Sequence, residues 1–383
     1  MDPMNDPSVM ALPHPVRLEA ATGTAVDSQI LGHAAPLAEL RPILIDETTP
    51  TEALINIVPG LHDLAVHHFG VFSGQGMGTF MLILTRGRLR AHGDPILKVA
   101  PTLQGLLAES DLDRGLPSRF FRAPYPLAYV EFARPNPLRL PNRESGMHEC
   151  EGVYVGSYQL PAEHPTLANP VRNRALKLDP SQPARAVELV ITGSPVGKAH
   201  AADDASQNLL LLIQDEDECL NTVLERHITF YNDPAAYSSP GMMPLDPAER
   251  RTLAPIISEL AKVLVYLNLP DAELIPTRER TDLERRLKGL GPKKAARLKR
   301  QLGTAYDHIL VGPSVEAEHE AGSAGADGEP GAQVRPHWRR GHFRRVRYGE
   351  GRSETRMAWI KPVLVNGGSV AAGAVKPKPY VVH

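Results

Sequence analysis

The chain has 383 residues, 42% hydrophobic and 22% charged, enough to bury a sizeable core and too many for one small domain. Two cysteines exclude a disulfide framework and fit a reducing compartment, and no apolar run approaches the roughly 20 residues that cross a bilayer. The formal net charge of −2 conceals a division, because residues 278–383 hold 21 basic and 11 acidic side chains, +10, which leaves −12 on the first 277. Such polarity can steer a polyanion to one end of the molecule or hold two of its parts together.

The N-terminus, MDPMNDPSVMALPHPV, carries acids and prolines where a secretory leader has a basic patch and an apolar run, so a cytoplasmic chain is expected. Residues 1–30 lack a sustained period and read as a loose arm. Residues 31–115 read as a helical N-terminal part. Its clearest start is Thr49-Pro50-Thr51-Glu52, with Thr49 as cap, Pro50 at the first helical position and Glu52 returning the capping bond. Ala53, Leu54, Ile57 and Val58 form the apolar stripe behind it. Pro59-Gly60 ends or kinks that helix, and residues 61–69 read as a second piece, with His67 and His68 as surface or packing histidines. Ser73-Gly74-Gln75-Gly76-Met77-Gly78 reads as a turn, since no phosphate-reaching lysine follows and no dinucleotide-binding crossover opens there. Phe80–Leu84 is too short to separate a buried helix face from a strand.

Residues 116–230 read as a central sheet region. Ala128–Phe132, Val153–Tyr158, Val187–Ile191 and Leu209–Ile213 are its strands, separated by turn-rich pieces such as Arg134-Pro135-Asn136-Pro137. Connections this irregular suit an antiparallel sheet better than repeated strand–helix–strand crossovers. Residues 246–311 read as helical. Asp246-Pro247-Ala248-Glu249 opens a helix whose apolar face is Leu253, Ile256, Ile257, Leu260, Val263, Leu264 and Leu267, with Pro255 as a kink or the true start. Residues 312–334 read as an acidic flexible linker; Pro313–Val334 holds five acids and no basic or aromatic residue. Residues 335–368 read as a basic β-hairpin packed on the body, His342–Tyr348 and Thr355–Ile360 joined through Gly349-Glu350-Gly351, with Val363–Val365 as an edge strand after Pro362. Residues 369–383 read as a loose tail. The fold class is α+β: a central, twisted, mainly antiparallel sheet with helical parts before and after it and a C-terminal β-hairpin.

Two segments carry candidate contacts. Leu283–Arg300, LERRLKGLGPKKAARLKR, resembles a helix–hairpin–helix nucleic-acid-binding element: Gly289 and Gly291 make the turn, Pro292 begins the second helix, and Lys293, Lys294 and Arg297 neutralise a phosphate. A plain basic surface hairpin has the same pattern. In RPHWRRGHFRRVR, Arg339, Arg340, Arg344 and Arg345 alternate with Trp338 and Phe343, a pattern that fits phosphates with stacked bases. It fits an acidic protein partner, or an internal clamp on the acidic first 277 residues, equally well. Because neighbours on a strand alternate faces, one arginine of each adjacent pair is expected to turn inward to a carboxylate or carbonyl.

No catalytic constellation emerges, and no cofactor or metal is expected. His148, Glu149 and Cys150 lack a matching ligand set elsewhere, Cys219 lacks a visible base, and Asp215-Glu216-Asp217-Glu218 reads as cap and dipole partners at a helix start.

The C-terminal segment RPHWRRGHFRRVRYGEGRSETRMAWIKPVLVNGG, Arg335–Gly368, resembles the closing segment of the second type V-A anti-CRISPR protein family, carried by phages, plasmids and their hosts. The Arg335-Pro336-His337 start, Arg340-Gly341-His342-Phe343 and the tryptophan strand with Asn366-Gly367 carry the resemblance. Fainter similarity reaches back to about residue 115. The chain departs from the pattern in its acidic linker and in the Gly291-Pro292 hairpin. The resemblance implies a non-catalytic protein of the bacterial cytoplasm. It would recognise a polypeptide, in the family's best-described member the nascent N-terminus of a type V-A nuclease on the ribosome, and lower its expression. A protein that binds RNA or DNA through the basic segments is the other reading.

Overall fold

Alternation of apolar side chains over long stretches builds one half of the fold, and short four-residue strands build the other. The computed structural model describes residues 7–22, 44–58, 60–61, 63, 74–112, 115–142, 145–195, 205–233, 247–288, 290–312, 337–339, 341–361 and 363–365. Its helices are α1 (Pro7–Met10), α2 (His14–Thr22), α3 (Thr51–Ile57), α4 (Gly74–Ala91), α5 (Pro101–Ala108), α6 (Pro170–Leu176), α7 (Leu220–Tyr231), α8 (Pro247–Leu267), α9 (Glu279–Leu287) and α10 (Pro292–Leu302). Its strands are β1 (Ile96–Val99), β2 (Ser110–Asp111), β3 (Leu127–Glu131), β4 (Arg139–Asn142), β5 (Gly146–Leu160), β6 (Ala184–Pro195), β7 (Ala205–Ile213), β8 (Leu274–Thr277), β9 (His308–Val311), β10 (His337–Arg339), β11 (Gly341–Tyr348), β12 (Glu354–Ile360) and β13 (Val363–Val365). Among the described residues no helix is long and apolar enough to cross a membrane.

The main sheet runs β7-β6-β5-β3-β1-β9-β8, with β4 beside β5. All pairs are antiparallel except β1 with β3 and β1 with β9. The architecture is the expected α+β one. The four strands read from periodicity form its antiparallel half, while β1, β8 and β9, unread in the sequence, complete the other.

Alternation sends side chains to two faces. Leu97, Val99, Val130, Val153, Val155, Leu189 and Leu211 meet α5, α7 and α8 in the larger core. All seven apolar positions expected on α8 are buried there, and the helix continues through Pro255. Ile96, Tyr129, Tyr154 and Val190 face the other way, against Leu12, Leu82 and Leu89 of the N-terminal region.

Residues 7–22 are therefore not a loose arm. Arg17 of α2 is fully buried and gives two 2.6 Å bonds to the carboxylate of Glu151, itself completely buried, and a 2.9 Å bond to the Leu12 carbonyl. The Glu151 partner comes from a bulge: β5 pairs Cys150 with Gly193 and Gly152 with Thr192, which leaves Glu151 as the extra residue, aimed at α2. Only glycine fits beside it, since a Cβ on Gly152 would lie 2.4 Å from the Val130 carbonyl oxygen and 2.6 Å from the Tyr129 ring. Burial alone would raise the Glu151 carboxyl, but the adjacent Arg17 guanidinium outweighs this and holds it at about 2.

Three further expectations are corrected. Helix α3 is not capped by Thr49 and Glu52. Glu188, from β6, accepts from Thr51 N at 3.0 Å, Thr51 Oγ1 at 2.6 Å and Glu52 N at 3.0 Å, so a distant carboxylate saturates the helix start. Gly74–Gly78 is the opening of α4 rather than a turn, and Phe80–Leu84 lies on that helix. Residues 246–311 are not helical throughout, because β8 and β9 interrupt them and return the chain to the main sheet. Of the second N-terminal helical piece, residues 62 and 64–69, with His67 and His68, lie outside the described residues, as do 313–336 and 366–383.

Candidate functional site

The C-terminal strands form a two-faced ribbon. Antiparallel register places Phe343 opposite Trp359, Arg345 opposite Met357 and Arg347 opposite Thr355 on one face. His342 opposite Ile360, Arg344 opposite Ala358, Val346 opposite Arg356 and Tyr348 opposite Glu354 form the other. The first face docks at its base. Phe343 and Met357 are buried in the larger core, and Trp359 Nε1 donates to Ser110 Oγ at 3.1 Å. Gly341 N donates to the Glu109 carbonyl at 3.0 Å, and β11 lies parallel to β2.

This docking sorts the predicted contact residues. Phe343 is a core anchor, 1% exposed, and not a stacking platform; the exposed aromatic of the ribbon is Tyr348. Arg345 points inward, as alternation requires, and donates to the Gly115 carbonyl at 2.6 Å. Arg344 points outward. Both remain exposed, so neither forms a buried clamp; among the described residues the ribbon meets the larger core at its base, through Phe343 and Met357, and its distal half is exposed. Trp338 and Arg339 lie on β10, paired with β13, and Arg340 falls outside the described residues.

The internal clamps are other arginines. Arg185 binds Glu216 at 2.6 and 2.8 Å and the carbonyls of Phe121 and Ser118, and Arg119 and Arg226 pair with Asp217 and Glu218. Glu216, Asp217 and Glu218 thus partner arginines, and Asp215 Oδ1 accepts from Asp217 N at 2.9 Å, so none of the four caps α7, whose start has no acid in its first turn. The readable signal was an arginine inside an apolar run, as in Ala184-Arg185-Ala186-Val187, where a charge requires a partner.

Helices α9 and α10 form a basic hairpin between β8 and β9. The charges of α9 pair locally, Arg280 with Glu284 at 2.9 Å and Arg285 with Asp282 at 2.5 Å. Lys293 and Lys294 fall in the first turn of α10, and Arg297, one turn later, has an exposed side chain. The strands that flank the hairpin, β8 and β9, lie in the main sheet and the ribbon in a separate sheet with β2, so the two predicted basic elements are not parts of one strand system.

The two edges of the main sheet differ. Along β7, Tyr231 donates to the Leu210 carbonyl and accepts from Leu210 N, both at 2.8 Å, while His227 Nε2 accepts from Leu212 N at 2.8 Å. Side chains of α7 thereby occupy that edge. On the opposite edge, β8, no second strand pairs among the described residues, and Leu274 is 39% and Ile275 43% exposed. Gly312 N donates to the Glu273 carbonyl at 2.9 Å, so alternation directs the N–H and carbonyl of Leu274 and the carbonyl of Pro276 away from β9. Pro276 sits where a strand tolerates it, its missing donor facing outward.

The catalytic candidates are held in hydrogen bonds of the sheet and its turns, His148 Nε2 meeting Ser145 Oγ at 2.8 Å. His148 Nδ1 meets the Gly193 carbonyl at 3.1 Å, Glu149 accepts from Asn136 N at 2.6 Å, and burial pushes the Cys150 thiol well up, away from nucleophilic use. Among the described residues no group of three or more His, Cys, Asp or Glu side chains could hold a metal ion.

The AcrVA2-like family model, described as the anti-CRISPR type V subtype A2 family, matches residues 97–367, which span β8, the α9–α10 hairpin and the ribbon. No curated protein matches the sequence. Among solved structures, a crystal structure of AcrVA2 aligns over 90% of this chain and 99% of its own, with 13% identity and a TM-score of 0.47.

Proposed function

The chain belongs to the anti-CRISPR type V subtype A2 family, and on that premise we propose that it acts by recognising an extended polypeptide, one still emerging from the ribosome, and so lowers expression of that protein. Family membership supports a regulatory, binding role. The observation that carries the polypeptide reading is the asymmetry of the sheet edges: β7 is closed by His227 and Tyr231, whereas β8 offers Leu274 N–H, two carbonyls and two exposed apolar side chains. An extended peptide added to such an edge gains main-chain bonds for affinity and side-chain contacts for selectivity. The Pro276 position withholds one donor, which limits pairing to a short stretch around Leu274 and favours a defined register over indiscriminate strand addition.

A tiled peptide array drawn from the host's proteins, probed with the full chain and with Leu274→Pro, tests this. That variant deletes the outward donor and keeps the bonds to β9. Selective retention of a few peptides by the natural chain, lost in the variant, is expected; unchanged retention in the variant removes the edge from the account.

A further inference from the structure

The outer face of the β11–β12 ribbon contacts neither core. Its eight residues are His342, Arg344, Val346, Tyr348, Glu354, Arg356, Ala358 and Ile360 by register. Arg344 and Arg356 are diagonal neighbours on it, about 7–8 Å apart at Cα, and both are exposed. Both are long cations presented on one exposed face, so an extended polyanion laid across it can reach both. The single acid of the face, Glu354, is engaged by the Tyr348 hydroxyl. The Tyr348 ring, 42% exposed, carries the Arg356 guanidinium 5.4 Å from its centroid. Two cationic forks, Arg344 and the Arg356 guanidinium that lies over the Tyr348 ring, thus share one exposed face, on a ribbon fixed at its base by Phe343 and Met357.

We propose that this face binds single-stranded nucleic acid, with Arg344 and Arg356 on successive phosphates and Tyr348 stacked against a base. Guanidinium forks match phosphate oxygens, and aromatic or arginine planes stack on unpaired bases. An acidic peptide would use the arginines and leave the Tyr348 platform unused, so the polynucleotide accounts for more of the face. The position within the charge division agrees, since the ribbon lies in the +10 segment of the chain. This surface is independent of the β8 edge, so either can fail without the other.

Fluorescence anisotropy with a labelled oligouridylate, its DNA counterpart and a polyglutamate peptide, at about 50 and 200 mM salt, decides the matter. Both single strands should bind more tightly than the peptide and weaken steeply at the higher salt. R344E/R356E should lower affinity at least about tenfold, and Tyr348→Ala about tenfold. Lys299→Glu on α10 should change little. Melting curves of the variants should match the natural chain, because all three ribbon side chains are exposed; Arg344→Gln/Arg356→Gln provides the same test should charge reversal perturb folding. Equal or tighter binding of polyglutamate, full affinity in the double variants, or an equal loss in Lys299→Glu would overturn the proposal.

Discussion

Phe343 and Trp359 stack across the ribbon with ring centroids 5.8 Å apart and planes inclined by 14°, and Trp359 meets the Tyr266 ring of α8 edge-on at 5.6 Å. The contact joins the C-terminal ribbon to the longest helix of the larger core. Phe343→Ala should therefore lower stability by about 3–5 kcal/mol, measured by denaturant unfolding. Arg344→Ala should stay within about 0.5 kcal/mol, and Arg345→Ala should cost no more than about 1.5 kcal/mol, the value of one hydrogen bond. A large loss in either arginine variant would contradict a ribbon anchored at its base through Phe343 and Met357.

The buried pair of Arg17 and Glu151 makes a second prediction. Arg17→Met strands a buried carboxylate and should cost about 3–5 kcal/mol. Arg17→Met combined with Glu151→Gln should recover part of that loss, because the charge no longer lacks its partner. The pH dependence has a fixed sign. The Glu151 carboxyl is held at about 2, below its ordinary 4.5, so its contribution is complete above pH 4.5 and drains away as pH falls toward 2. Unfolding followed across that window, in the natural chain and in the double variant, should show a shallower slope in the latter by the contribution of this one carboxylate.

His227 governs a higher window. Burial lowers its imidazole to about 4 from an ordinary 6.5, and the neutral ring is required, because Nδ1 donates to the Val223 carbonyl while Nε2 accepts from Leu212 N. Protonation then favours the unfolded chain, whose histidine takes up its proton at the higher pH. Stability should fall as pH drops from 6.5 to 4 and His227 should add no further slope below that. His227→Leu should remove this slope and cost about 1–3 kcal/mol at neutral pH, since it leaves the Leu212 N–H unpaired.

What the sequence disclosed follows from how local each signal is. Strands β3, β5, β6 and β7 and helix α8 announce themselves through periods of two and 3.6, and the ribbon through its turn glycines and aromatics. Strand β1, Ile96-Leu97-Lys98-Val99, offers four residues and a lysine; β8 contains Pro276. Neither has a period long enough to see, and both are fixed by pairing with strands remote in sequence. The Arg17–Glu151 and Thr51–Glu188 contacts join residues more than 130 positions apart, so the N-terminal helices looked unsupported and α3 looked self-capped. Of the candidate site, the basic character of the ribbon was legible. The register that buries Phe343 and exposes Tyr348 was not, because it depends on which half of the hairpin meets the body.

The Glu188 cap predicts a local effect. Glu188→Ala removes the acceptor for both leading amides of α3 and should cost about 0.5–2 kcal/mol. Amide hydrogen exchange should accelerate at Thr51 and Glu52 and remain slow in α8, which the cap does not touch.

The most direct test of polypeptide recognition is capture of the tagged chain from translating host cells, with identification of the attached nascent proteins and messages. The account predicts enrichment of one message together with its nascent product, release of both on puromycin treatment, and loss of the enrichment in Leu274→Pro. Recovery of bulk RNA alone, dispersed by salt and identical in the variant, would contradict it.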